Sequence, residues 1–185
     1  SGFLRTGQKL RRKLEATLIS SLPTFKQTCT DPIYFLALGF GSGLSPKAPG
    51  TCGSLVALII YVPLSLLPVF AYLAYILLAF MLGVYICGVA ANRLDVKDPG
   101  AIVWDEFVGM WIALIIAPEG WSYLVLAFLL FRLFDIFKPW PVDYLDRNIE
   151  GGLGVMMDDV AAGIYALAVL QIIALGMREL GLVLL

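Results

Sequence analysis

Histidine is absent from the chain. That absence excludes Ser-His-Asp hydrolysis, His-ligated zinc and phosphohistidine chemistry, each of which needs an imidazole as base, ligand or nucleophile. Cysteine is scarce. Cys29, Cys52 and Cys87 form no CxxC and no paired metal spacing, and an odd count with Cys87 in an apolar run fits reduced thiols better than a disulfide framework. Charge is also sparse, at 15% of residues with a net value of −1, so the clustered positive charge that a nucleic-acid partner requires is missing.

Apolar residues are in excess instead. They make up 60% of the 185 residues, with a mean hydropathy of +0.88, above the range of soluble globular chains. The length suits one domain, and the hydropathy assigns it to a membrane. Apolar segments at 54–70, 71–91, 101–117, 121–137 and 160–177 approach or reach the ~17–25 residues needed to cross a bilayer. They predict an all-α, polytopic bundle of four to five transmembrane helices. Residues 31–44 are apolar but too short, which predicts a re-entrant or half-spanning element. Pro63 and Pro68 are expected to kink or end the first span.

Residues 31–185 thus read as a single membrane-embedded catalytic domain, preceded by a basic arm at 1–30. Leu10, Leu14 and Leu18 lie at i, i+4, i+8 in that arm, among Arg5, Lys9, Arg11, Arg12 and Lys13. The pattern fits an interfacial helix on an anionic membrane surface, or a plain solvated arm.

Lysine and arginine set the orientation. With the N-terminus in the cytoplasm and sides alternating, the arm and the loops at 39–53, 92–100 and 138–159 all lie inside. Every one of the 13 Lys and Arg except Arg178 then falls on that side. Trp104 and Trp140 lie near the inner interface and Trp121 near the outer one, as an aromatic belt requires.

Charges within apolar segments are costly, so their positions are informative. Asp105 and Glu106 open the third segment in IVWDEFVGMW. Arg132 and Asp135 close the fourth in FRLFDIFKPWP. Asp158 and Asp159 are expected to open the fifth in GGLGVMMDDVAAG. The topology brings all six to the cytoplasmic ends of three helices. Simpler roles exist for some of them: Asp158 and Asp159 could cap a helix, and Arg132 with Asp135 could be an i, i+3 ion pair. The adjacent carboxylates of Asp105 and Glu106 repel each other and are harder to explain structurally.

Five carboxylates without histidine or paired cysteine suit a hard, oxygen-seeking cation, above all Mg2+. Lys47, Arg132, Lys138 and Arg147 are then left to hold an anion, which together describes a phosphate-handling site. The stretch 39–54, GFGSGLSPKAPGTCGS, ends on the same side. Its glycines permit close backbone approach, Ser45, Lys47 and Thr51 supply donors and charge, and the run leads into a helix N-terminus that favours an anion. It is expected to hold a phosphate group facing the acidic helices.

Several phosphate chemistries leave recognisable motifs that this chain lacks. It has no GxxxxGK[ST] loop, no Cys-x5-Arg, no DxDx[TV] and no long acidic CDP-alcohol phosphotransferase signature. Direct attack by metal-activated water remains, with a carboxylate to take the proton.

GFGSGLSPKAPGTCGSL, IVWDEFVGMW and FRLFDIFKPWPVDYLDRNIEGGLGVMMDDVAAG, in this order and spacing, resemble the phosphatidylglycerophosphatase A family. The resemblance runs from about residue 31 to about residue 175. It implies a Mg2+-dependent, multi-pass enzyme of the bacterial inner membrane, with its site facing the cytoplasm. The reaction implied is hydrolysis of phosphatidylglycerophosphate to phosphatidylglycerol and inorganic phosphate. On the matching blocks, Asp105, Glu106, Asp158 and Asp159 would bind metal. Asp105 and Asp135 would be catalytic, Asp135 as a further ligand or the base. Ser45, Lys47, Thr51, Arg132 and Lys138 would contact substrate. Asp143, Asp146 and Arg147 read as loop residues, and Gly151, Gly152 and Gly154 as a tight turn. Two rival functions use the same carboxylates: an ion-coupled transporter, which would place charge at the midplane, and a phosphotransferase with an alcohol acceptor.

Overall fold

The computed structural model describes residues 22–95, 100–140, 142–144, 149 and 151–180. The greater part of the basic arm, residues 1–21, lies outside them, as do Asp146 and Arg147. No strand occurs among the described residues, and the chain is helical as its apolar runs predict.

Two short helices come first, α1 (Phe25–Thr30) and α2 (Pro32–Ala37), followed by a tight 3-10 turn over Gly39–Leu44. Thr24 and Gln27 form a reciprocal capping box on α1, and the Asp31 carboxylate accepts from the N–H groups of Ile33 and Tyr34 to cap α2. Asp31 also pairs with Arg93 at 2.7 Å, and the Arg93 guanidinium lies over the Tyr34 ring. These contacts tie the entry segment to the end of a long helix.

Four long helices follow: α3 (Pro49–Leu64), α4 (Val69–Leu94), α6 (Trp121–Phe137) and α7 (Gly151–Glu179). They surround a short one, α5 (Trp104–Ala113), which packs against all four. Pro63 sits in the last turn of α3 and Pro68 precedes α4, so the prolines end the first long helix as expected. The segment expected to span at 101–117 instead forms only the ten residues of α5, about 15 Å of helix.

A helix that stops inside an apolar bundle leaves carbonyls without partners. Side chains from neighbouring helices supply those partners here. The Tyr72 hydroxyl donates to the Trp111 carbonyl at 2.7 Å, Tyr61 reaches the Leu114 carbonyl at 3.5 Å, and the Gln171 amide donates to the Ile116 carbonyl at 3.0 Å. In return, the indole N–H groups of Trp104 and Trp111 donate to the carbonyls of Ala79 and Ala57, both at 3.0 Å. Phe107, Val108, Met110 and Trp111 are fully buried by this arrangement.

Paired contacts give the helix directions. Gly53 packs on Val103, and Ala57 accepts from Trp111, so α3 and α5 run parallel. Gly88 lies against Gly152 and Gly83 against Met156, so α4 and α7 are antiparallel. Helix α7 begins at Gly151, nine residues before the expected span, and the three glycines there do not form a simple turn. Gly151 alone has a left-handed φ of 71°, whereas a side chain at Gly152 would strike the Val84 carbonyl.

Helices α4 and α7 are long and apolar enough to cross a membrane, yet only 33% and 22% of their most apolar stretches is buried. Leu77, Leu78, Met81, Ile164, Ile172 and Leu175 are among the large apolar side chains left exposed along them. Such a surface suits lipid better than water.

Candidate active site

The starts of α3 and α5, the end of α6 and the second turn of α7 converge. On α5, Asp105 and Glu106 occupy the first turn, where the positive end of the helix dipole favours carboxylates. Gly109, one turn further, lets α6 and α7 close in: a side chain there would press on the Phe131 ring and on the Asp159 carbonyl. Gly163 in turn lies against the Gly109 carbonyl. This close crossing brings Asp159 to the carboxylates of α5.

Oxygen atoms of Asp105, Glu106 and Asp159 all lie within 4.8 Å of one another. Asp105 and Asp159 are buried, at 8% and 3% exposure. Asp135 borders the group, its carboxylate near that of Asp159. Arg132 lies across the cluster, 2.5 Å from Asp135 and 3.9 Å from Glu106. Asp158 also neighbours Asp159, but its carboxylate pairs with Lys138 at 2.8 Å. Lys138 is aimed there by its left-handed backbone at the end of α6.

Of the four residues expected to bind metal, Asp105, Glu106 and Asp159 therefore stand together, and Asp158 stands beside them in an ion pair. Asp158 and Asp159 lie two turns inside α7 and do not cap it. The i, i+3 pair of Arg132 and Asp135 is present and belongs to the same cluster. Among the described residues, Arg132 and Lys138 are the cations set against these carboxylates. The Glu106 Oε2 atom is buried without a hydrogen-bond partner among the described residues. An all-oxygen donor set with an orphaned carboxylate oxygen fits a hard divalent cation.

The glycine-rich loop reaches the site through Gly50, a residue not singled out from the sequence. Gly50 is buried in the first turn of α3, and a Cβ on it would collide with Glu106 Oε1 and lie 3.1 Å from Arg132 Nη1. The residues chosen for their side chains stand differently. The Ser45 hydroxyl donates to the Lys47 carbonyl at 2.8 Å, Lys47 itself is exposed, and Thr51 is half-buried next to Gly50. Asp143, read from the sequence as a loop residue, is half-buried in the helical stretch 142–144 that follows α6.

Fold and site together define a helical, membrane-suited protein whose acidic cluster could hold a metal ion and is flanked by an arginine and a lysine. Comparison with known sequences specifies it further. The model of the phosphatidylglycerophosphatase A family matches residues 35–174. Phosphatidylglycerophosphatase A of Escherichia coli (strain K12) is 44% identical over 145 residues, covering 78% of this chain and 84% of that protein. Its namesake in Haemophilus influenzae is 48% identical over 149 residues, 80% of this chain and 91% of that one. A protein of Bacteroides thetaiotaomicron named as a putative phosphatidylinositol-3-phosphatase is 43% identical over 144 residues, covering 74% and 90%. The chain belongs to the phosphatidylglycerophosphatase A family. No solved structure matches it.

Proposed function

We propose that this chain is a lipid phosphatase that hydrolyses phosphatidylglycerophosphate to phosphatidylglycerol and inorganic phosphate, using Mg2+. The observation that carries the reading is the clustered trio of Asp105, Glu106 and Asp159, bordered by Arg132 and Lys138, in a chain of this family. Asp105, Glu106 and Asp159 would hold the ion. Bound there, Mg2+ would supply Lewis acidity toward a water molecule and charge for the phosphoryl oxygens.

The remaining chemistry is assigned to the chain's own groups. Arg132 offers a planar fork to the phosphate, and Lys138 offers a point charge at the opposite edge of the cluster. Asp135, held by Arg132 beside Asp159, takes the proton from the attacking water. The water oxygen forms a bond to phosphorus, the bond from phosphorus to the glycerol oxygen breaks, and that oxygen picks up a proton from solvent. The N–H groups at the start of α3 add donors for the anion. Ser45, Lys47 and Thr51 serve as outer contacts of the headgroup.

The lysine and arginine bias supports a multi-pass protein of the bacterial inner membrane with this site at the cytoplasmic face. Exposed Phe137 and Trp140, which flank Lys138 in sequence, suit a headgroup interface. By this reading α3 and α6 complete a four-span bundle, and α1, α2 and the 3-10 turn form the re-entrant element.

The test is phosphate release by the purified full chain from phosphatidylglycerophosphate in mixed micelles, with Mg2+ or with EDTA. We expect release that EDTA abolishes and Mg2+ restores. Phosphatidic acid and phosphatidylinositol 3-phosphate assayed alongside set the headgroup preference. Equal release with and without EDTA, or none from any of the three lipids, would sink the proposal.

A further inference from the structure

Gly50 stands where the glycine-rich loop meets the acidic cluster, and its Cα forms the wall on which two charged groups rest. The Glu106 carboxylate occupies space that a Cβ at position 50 would need, and Arg132 Nη1 lies at the far side of the same space. Both side chains are largely withdrawn from solvent, at 13% and 16% exposure. Glu106 is crowded if that wall advances: Arg132 Nη1 lies 3.9 Å from its carboxylate, and carboxylate oxygens of Asp105 and Asp159 lie within 4.8 Å.

The backbone around Gly50 is equally constrained. Ala48 adopts a left-handed φ of 48°, Pro49 fixes the first turn, and Gly53 packs directly on Val103 at the head of α5. The Ser54 hydroxyl donates to the Gly50 carbonyl at 2.8 Å. Helix α3 is thus registered to α5 within one turn of Gly50, and an added methyl group falls on Glu106 and Arg132.

We propose that Gly50 is a positioning residue: its lack of a side chain sets where the Glu106 carboxylate sits relative to Asp105 and Asp159, and so sets divalent-cation affinity. This inference rests on the metal-dependent reading above. It makes Gly50 part of the site through space, without any chemistry of its own.

A double-mutant cycle tests it on the purified full chain in detergent. Mn2+ binding is read by electron paramagnetic resonance titration and folding by thermal unfolding. Gly50→Ala should weaken Mn2+ binding by about tenfold or more, as loss of a ligand-orienting contact does. In the Glu106→Asp background, where the carboxylate is one methylene shorter, the same substitution should cost less than about threefold. Gly100→Ala, at a site with open space around its Cβ, should change neither readout.

Equal losses in the two backgrounds, or wild-type affinity in Gly50→Ala, would overturn the inference and leave the metal reading intact. If Gly50→Ala fails to fold, recovery of folding and Mn2+ binding by adding Glu106→Asp supports it. Failure of that double variant to fold overturns it. A wild-type chain that binds no Mn2+ overturns both the inference and the metal reading.

Discussion

Asp159 is 3% exposed and faces Asp105, Asp135 and Asp158. So much like charge in one buried place is stable only when cations are shared among its members. Arg132 supplies one such cation, reaching both Asp135 and Glu106. Its fork can bridge two carboxylates or grip a phosphate, which a lysine ammonium does less well. Arg132→Lys should therefore leave the charge balance intact and still lower kcat/KM for phosphatidylglycerophosphate by about tenfold or more. Steady-state phosphate release checks this, and a variant with wild-type kinetics would show that the fork geometry is not used. The charges themselves were legible in the sequence, because ionisable groups in apolar segments are too costly to be incidental. Gly50 was not legible. The glycines of 39–54 read together as permitting close backbone approach, and only the packed structure reveals that at Gly50 it is Glu106 that fills the missing side chain.

Among the helices, α5 carries the clearest departure from the sequence pattern. Residues 101–117 are apolar almost throughout, and hydropathy alone predicts a span there. Hydropathy cannot register that Tyr61, Tyr72 and Gln171 satisfy the carbonyls at its end, which lets the helix stop after Ala113. The short helix then lies wholly inside the bundle and presents Asp105 and Glu106 from its first turn. Tyr72→Phe deletes the hydroxyl bonded to the Trp111 carbonyl, at a cost of about 1 kcal/mol. The expected result is a lower thermal unfolding midpoint with unchanged Mn2+ affinity, since Trp111 lies about 9 Å along the axis from Asp105. Weakened Mn2+ binding in a stable Tyr72→Phe protein would contradict the division between end-capping and site. The start of α7 was likewise hidden: Gly151, Gly152 and Gly154 look like a turn, but Gly152 permits contact with α4 at Val84. Asp158 and Asp159 are consequently inside a helix, where they point into the bundle rather than cap it.

Across the molecule, the described residues combine an apolar exterior with an acidic interior site. Helices α3 and α5 begin at that site, α6 ends there and α7 passes it two turns after its start, an arrangement that gathers charge toward one end of the bundle. A transporter would place such groups near the membrane midplane, between matched repeats. A phosphatase working on a lipid headgroup needs them at the interface, where the phosphate is. The two apolar helices α4 and α7, the exposed aromatic side chains near Lys138 and the family membership all agree with the latter. The remaining distinction is the acceptor, water or an alcohol. Phosphatidylglycerophosphate incubated in 18O-water with the full chain in proteoliposomes and Mg2+ measures it directly. The account predicts phosphatidylglycerol and inorganic phosphate carrying one solvent oxygen, with Asp159→Asn slower by about 100-fold or more. Phosphate without solvent oxygen, transfer to a lipid alcohol, or an Asp159→Asn variant as fast as wild type would contradict it.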